Sequence, residues 1–131
     1  MRAFISVSYD KWPTLDNELR AISNTLKQFN IEPHIFLDKY QFDKAEEKEM
    51  MLRAMKDIDE SDLLIAEVSG KAIGIGIEAG YARGKGKFVI YMRNSTAEHS
   101  TTVSGISDFQ VIYKDPTDLS TQLGEIIKFI R

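Results

Sequence analysis

The sequence predicts an α/β domain in which a five-stranded parallel sheet lies between two layers of helices. Three observations predict it. Short apolar runs flanked by turn residues recur five times along the 131 residues, and such runs read as buried parallel strands. Helical patterns fill the intervals, so strand and helix alternate along the whole chain. The middle of the chain, residues 72–86, reads AIGIGIEAGYARGKG between the apolar runs 63–68 and 88–92, the pattern of a parallel crossover with a glycine loop followed by a helix.

The elements follow in order. Residues 2–8 are rich in β-formers (Ala3, Phe4, Ile5, Val7) and read as the first strand, with Tyr9, Asp10, Lys11, Trp12 and Pro13 as the loop at its carboxyl end. Thr14 or Asp16 is the expected cap of a helix reaching Phe29, with Leu15, Leu19, Ile22, Leu26 and Phe29 on one face. Asn30 ends it. Residues 31–37 form the second strand, and Pro33 near its start assigns it to an edge. A polar and aromatic loop, DKYQFD at 38–43, leads into a helix over 44–60 with Met50, Met51, Ala54, Met55 and Ile58 apolar. The methionines read as core, with a pliable pocket lining as the other possibility. The third strand spans 63–68 and the fourth 88–92, the latter ending in Arg93 and Asn94. Residues 95–107, STAEHSTTVSGIS, read as a functional loop with a short helix. The fifth strand is 109–113. The last helix starts at Asp115-Pro116 and turns Leu119, Leu123, Ile126, Ile127 and Ile130 inward.

Right-handed crossovers then favour the flavodoxin-like (Rossmann-like) three-layer order 2-1-3-4-5, in a single domain covering 1–131. The topological switch lies between strands one and three. Ser8, Tyr9 and Asp10 on one lip should face Gly74, Gly76 and Glu78 on the other. Glu78 is expected in the first turn of its helix, where the positive helix end keeps a carboxylate ionised at neutral pH. It is the candidate functional centre. An ordinary first-turn glutamate is the structural alternative.

Composition narrows the classes. There are no cysteines, so there is no disulfide framework, thiol nucleophile or thiolate metal site. A net charge of −3 speaks against a nucleic-acid polymer as partner. His34 and His99 lie far apart without ligand spacing, so no metal is expected, and no cofactor either. No apolar run has the length of a membrane span, and the N-terminus lacks the architecture of a secretory signal, so a cytoplasmic setting is expected. Gly74-x-Gly76-x-x-Ala79 matches only a loose dinucleotide fingerprint and stands in the wrong unit of the fold. Walker and serine-elbow motifs are absent. A lone carboxylate in a glycine-rich crevice suits glycosidic chemistry, as nucleophile or as the counter-charge to an oxocarbenium ion.

The stretch Ser61-Asp62-Leu63-Leu64-Ile65-Ala66-Glu67-Val68, followed by Gly74-Ile75-Gly76-Ile77-Glu78-Ala79-Gly80-Tyr81-Ala82, resembles the nucleoside 2-deoxyribosyltransferase superfamily, and within it the 2'-deoxynucleoside 5'-phosphate N-hydrolase branch. The resemblance puts Glu78 on the catalytic nucleophile. It implies a homodimer or larger assembly in which residues 95–107 reach a neighbour's crevice, Ser100 going toward a nucleotide phosphate. It also places Ser8, with the backbone of Tyr9 and Asp10, near phosphate or sugar. Arg93, at the end of the resembling stretch 87–93, joins the candidate binding residues.

Three positions depart from the family. Phe4 stands where a tyrosine hydroxyl usually orients the acid, Ala54 where an aspartate is usual, and Ala72 where many transferases carry an acid or a serine. Asp57, one turn after Ala54, is a possible substitute because i and i+3 share a helix face. The expected function is cleavage or transfer of a nucleoside or nucleotide N-glycosidic bond with Glu78 as nucleophile. The alternatives are a nucleotide-binding module that has lost its catalytic partners, and a TIR-like NAD hydrolase.

Overall fold

A computed structural model describes residues 1–131. Its strands are β1 (Arg2–Val7), β2 (Glu32–Ile35), β3 (Leu63–Glu67), β4 (Phe88–Asn94) and β5 (Phe109–Tyr113). Its helices are α1 (Asp16–Gln28), α2 (Phe36–Lys39), α3 (Glu47–Asp59), α4 (Ile73–Gly84), α5 (Thr101–Gly105) and α6 (Pro116–Ile130). All strand pairs are parallel, in the expected order β2-β1-β3-β4-β5. β2, with Pro33, lies at the edge where a residue without an N–H is tolerated.

The sheet sorts its side chains by the two-residue period of a strand. Ala3, Ile5, Val7, Leu63, Ile65, Ile90 and Met92 face α1 and α6 and build one core with Leu19, Ile22, Leu26, Leu119 and Leu123. Phe4, Leu64, Ala66, Val89 and Tyr91 face the other way and build a second core with Ala54, Ile58, Ile75, Ala79 and Ala82. Burial of apolar area on both faces, about 25 cal/mol per Å², is what holds the three layers together.

Several boundaries differ from the sequence reading. The second strand stops at Ile35, and residues 36–39 wind into one helical turn that buries Phe36. Neither Thr14 nor Asp16 caps α1: Leu15 is the N-cap, Thr14 donates to the Lys11 carbonyl, and Asp16 is the first helical residue. Asn30, at φ 59°, closes α1 in the left-handed conformation that asparagine tolerates. The largest difference is at the crossover. Gly74 and Gly76 are not in a loop but in the first turn and a half of α4. Glycine costs about 1 kcal/mol in a helix relative to alanine. Ile75, Ala79 and Ala82, at helical spacing and fully packed on the sheet, outweigh that cost.

Candidate active site

Because α4 starts at Ile73, Glu78 is its sixth residue and lies in the second turn. At 100° per residue, Ile75, Ala79 and Ala82 point to the sheet. Glu78, Gly74 and Tyr81 then share one flank, toward β1 and α3, while Gly76 and Arg83 lie on the other flank, toward α5. The contacts agree: Tyr81 Oη donates to Asp59 of α3, and Arg83 pairs with Asp108 just beyond α5.

The sheet serves the two flanks from a single row of residues. Ser6, Ala66 and Tyr91 stand side by side in β1, β3 and β4. Ala66 is small and lies beneath the helix. Ser6, at one end of the row, donates its hydroxyl to Oε1 of Glu78 at 2.5 Å. Tyr91, at the other end, accepts the Ser100 amide at 2.9 Å and meets Nδ1 of His99 at 3.1 Å.

Glu78 is partly buried, and its second oxygen has no partner in the chain. Burial pushes its carboxyl up to about 7, and the Ser6 hydroxyl pulls the other way. This corrects the expectation of a carboxylate held ionised by the helix end. The helix field fades within the first turn, and Glu78 is beyond it.

The predicted site residues divide. Gly74 lies on the Glu78 flank, with open space where a Cβ would stand. Ser8 is buried beside the crossover loop; a Cβ added at Gly70 would come within 3.2 Å of the Ser8 Cβ and collide with the side chain of Lys11. The two lips of the switch point therefore touch at Gly70, which the sequence reading did not single out. Tyr9 is exposed against Trp12, and Asp10 is exposed. Phe4 is fully buried between His34 and Phe36 and contributes packing only.

Asp57 does not reach Glu78. Its carboxylate accepts from His34 Nε2 at 2.8 Å, one row below Ser6 in the sheet. Burial lowers the His34 pKa and Asp57 opposes that, and the buried Nδ1 is left without a partner. Arg93 is a loop strut: Nη1 donates to the carbonyls of Asn94, Ser95 and Ala97.

Gly76 and Ser100 line one cavity, away from Glu78, of about 690 Å³ between α4 and α5, together with Lys71, Ile73, His99 and Thr102. Within one chain α4 stands between this cleft and Glu78. Ser6, the one side chain that touches the Glu78 carboxylate, is missing from the sequence reading. Its signal was there: Phe4, Ser6 and Ser8 alternate onto one face of a strand, and a polar residue on a buried face needs a partner.

A flavodoxin-order α/β protein with a carboxyl of raised pKa beside the switch point is the class that this geometry defines. The chain belongs to the nucleoside 2-deoxyribosyltransferase family, whose model matches residues 12–118. Solved structures share the fold. A CMP N-glycosidase from Clostridium botulinum aligns at 19% identity with a TM-score of 0.68, covering 94% of this chain and 98% of its own. A conserved protein from Enterococcus faecalis V583 aligns at 14% identity with a TM-score of 0.76, covering 96% and 98%. A 2-deoxyribosyltransferase from Bacillus psychrosaccharolyticus aligns at 10% identity with a TM-score of 0.65, covering 92% and 90%. No curated protein sequence matches the chain. No helix is long and apolar enough to cross a membrane.

Proposed function

We propose that the protein cleaves or transfers the N-glycosidic bond of a nucleoside or nucleotide, with Glu78 as the nucleophile. The observation that carries the reading is the Glu78 carboxyl itself: partly buried, bonded through one oxygen only, and open through the other. Family membership and the glycosidic chemistry in the names of two structural relatives support it.

The step balances simply. The free oxygen of ionised Glu78 attacks the anomeric carbon, the bond to the base breaks, and the base leaves with the bonding pair and takes a proton from water. Water or a second base then displaces the carboxylate from the sugar, giving hydrolysis or transfer. Burial raises the energy of the ionised carboxylate, and a sugar with oxocarbenium character offsets that cost in the transition state. Attraction that grows as the reaction proceeds is what accelerates it. Gly74, with nothing above its Cα, leaves room for a sugar on the Glu78 flank.

Assembly is part of the proposal. Ser100 and Glu78 lie on opposite flanks of α4, so a homodimer is the arrangement that brings residues 95–107 of one chain to the crevice of the other. Light scattering at micromolar concentration reads this directly, and a strict monomer counts against it.

The deciding experiment is incubation with deoxynucleosides, their 5'-monophosphates and NAD, followed by chromatography for free base or nicotinamide. Base released by the wild type and not by Glu78→Gln is the expected result. One observation favours a second reading, a binding module without turnover: Ser6 is the only hydrogen-bond partner of Glu78, and Phe4 and Ala54 are plain core. Nucleotide binding with no release of base by the wild type would establish that reading.

A further inference from the structure

We propose that Ser6 is the positioning residue of Glu78: its hydroxyl fixes Oε1 from the sheet side and leaves Oε2 as the oxygen that attacks. The inference rests on the proposed chemistry of Glu78 and assigns a role that family membership does not, since the matched residues begin at Trp12 and leave Ser6 outside them.

Four facts carry it. Ser6 is 2% exposed, so its hydroxyl has no water to compete for it. Its bond to Glu78 Oε1 is 2.5 Å, the length of a charge-assisted O–H···O⁻ contact. Its backbone is paired with Ala66 of β3, one residue after β1 leaves β2 at Ile5, so the hydroxyl is presented from the sheet. Phe4, two residues earlier on the same face of the strand, has no polar atom to offer. The serine therefore supplies from the next row of the sheet what the first row lacks.

No other group competes for the carboxyl. The titratable side chains around α4 are engaged elsewhere: Asp57 with His34, Asp59 with Tyr81 and Lys85, Tyr91 with His99, and Arg83 with Asp108. Glu67 lies on the opposite face of the sheet. The Ser6 hydroxyl is the one interaction that favours the ionised form of Glu78 against its burial. Removing it should turn the carboxyl loose and raise its pKa at the same time.

The test uses Ser6→Ala and Ser6→Thr with two readouts. The first needs no turnover. Carbon NMR of the glutamate side-chain carboxyls follows the Glu78 titration, assigned by its loss in Glu78→Gln. The wild-type midpoint near 7 should rise by about one unit in Ser6→Ala and return in Ser6→Thr, whose hydroxyl sits at the same atom. The second is the pH profile of base release. Ser6→Ala should lower kcat about 10- to 100-fold with little change in KM, and move the acid limb of the profile upward. An unchanged Glu78 midpoint in a folded Ser6→Ala protein overturns the proposal, as does a Ser6→Thr variant that titrates like Ser6→Ala. A wild type that never releases base defeats the proposed chemistry instead, and the NMR arm still decides the Ser6 contact. Thermal melts of both variants confirm that the fold is intact; if Ser6→Ala does not fold, Ser6→Cys, which keeps the shape but offers only a weak donor, decides: a raised Glu78 midpoint supports the proposal and an unchanged one overturns it.

Discussion

Two glutamates lie against the carboxyl end of the sheet, one on each face, Glu67 fully buried and Glu78 partly so, and the protein treats them differently. Glu67, at the end of β3, is fully buried on the α1 and α6 side. Its Oε1 accepts the Ser69 amide at 2.7 Å, and its Oε2 accepts the Ser69 hydroxyl at 2.8 Å and the Tyr113 hydroxyl at 2.5 Å. Glu78, on the α4 side, has the Ser6 hydroxyl and nothing else. Burial raises both pKa values, but three donors oppose it at Glu67 and one at Glu78. A carboxylate with both oxygens saturated ties a loop in place. A carboxylate with one oxygen held and one open is ready to form a bond. The difference sets a structural acid apart from the one proposed to react, on geometry alone.

The comparison breaks first at turnover. Glu78→Gln should abolish release of base, at least about 10³-fold in kcat, because glutamine keeps the shape but not the nucleophile. A variant with unchanged turnover moves the chemistry to another residue. Removing the other acid should act on the fold instead. Glu67→Ala removes the acceptor of the Ser69 amide and of the Ser69 and Tyr113 hydroxyls, leaving the two hydroxyls only their 3.3 Å contact with each other, a loss of roughly 2–4 kcal/mol in urea unfolding. A loss below 1 kcal/mol would mean that water reaches this cluster and that Glu67 is not the tie described above.

The pH dependence of stability sharpens the contrast. A carboxyl whose folded pKa is raised holds its proton more tightly in the folded state, so its stabilisation is complete below the unfolded value and is lost as pH rises through the folded one. For Glu78 that window runs from 4.5 to about 7, and the loss across it is on the order of 3 kcal/mol at most. Glu78→Gln should remove this part of the slope. At pH 8 the variant should be more stable than the wild type, and at pH 5 the gap should close, as measured by urea unfolding at the two pH values. Equal slopes in the two proteins would contradict the raised carboxyl. A gain in stability with a loss of turnover is what a strained reactive acid predicts.

Tyr113→Phe is a milder probe of the Glu67 side. It removes one of three donors and leaves two, for an expected loss of about 1–2 kcal/mol with kcat for base release unchanged. A fall in kcat with no loss of stability would join Glu67 to the reactive site.

The sequence was most legible where burial dictates pattern. Five apolar runs gave five strands in the right order, and Pro33 placed β2 at an edge. The placement of Glu78 on the helix after the third strand was legible too. What could not be read depends on which neighbours meet across the fold. Gly74 and Gly76 look like a loop because glycine breaks isolated helices; only packing on the sheet makes them helical. Asp57 looks like a substitute partner by helical spacing, yet His34 takes it, a residue 23 positions earlier in the chain. Ser6 meets Glu78 across 72 positions, a pairing fixed only once β1 lies beside β3.

The smallest expected effect separates the two flanks of α4. Gly74 and Gly76 both have open space at the Cβ position, so alanine fits at either. Each substitution exchanges glycine for the best helix former and should add about 0.5–1 kcal/mol of stability, less in the first turn than in a helix centre. The two should differ in function. A methyl group at 74 enters the flank that carries Glu78, whereas a methyl group at 76 enters the cleft beside α5. Within one chain, then, Gly74→Ala should raise KM for the nucleoside severalfold while Gly76→Ala leaves the sugar contacts of its own Glu78 untouched. In a homodimer that brings residues 95–107 to the neighbour's crevice, Gly76→Ala acquires an effect of its own, because the cleft that it narrows holds Ser100. Steady-state kinetics of the two variants at a single pH, beside their melting temperatures, reads both flanks at once. Identical KM values in Gly74→Ala and the wild type would place the sugar elsewhere and remove Gly74 from the site.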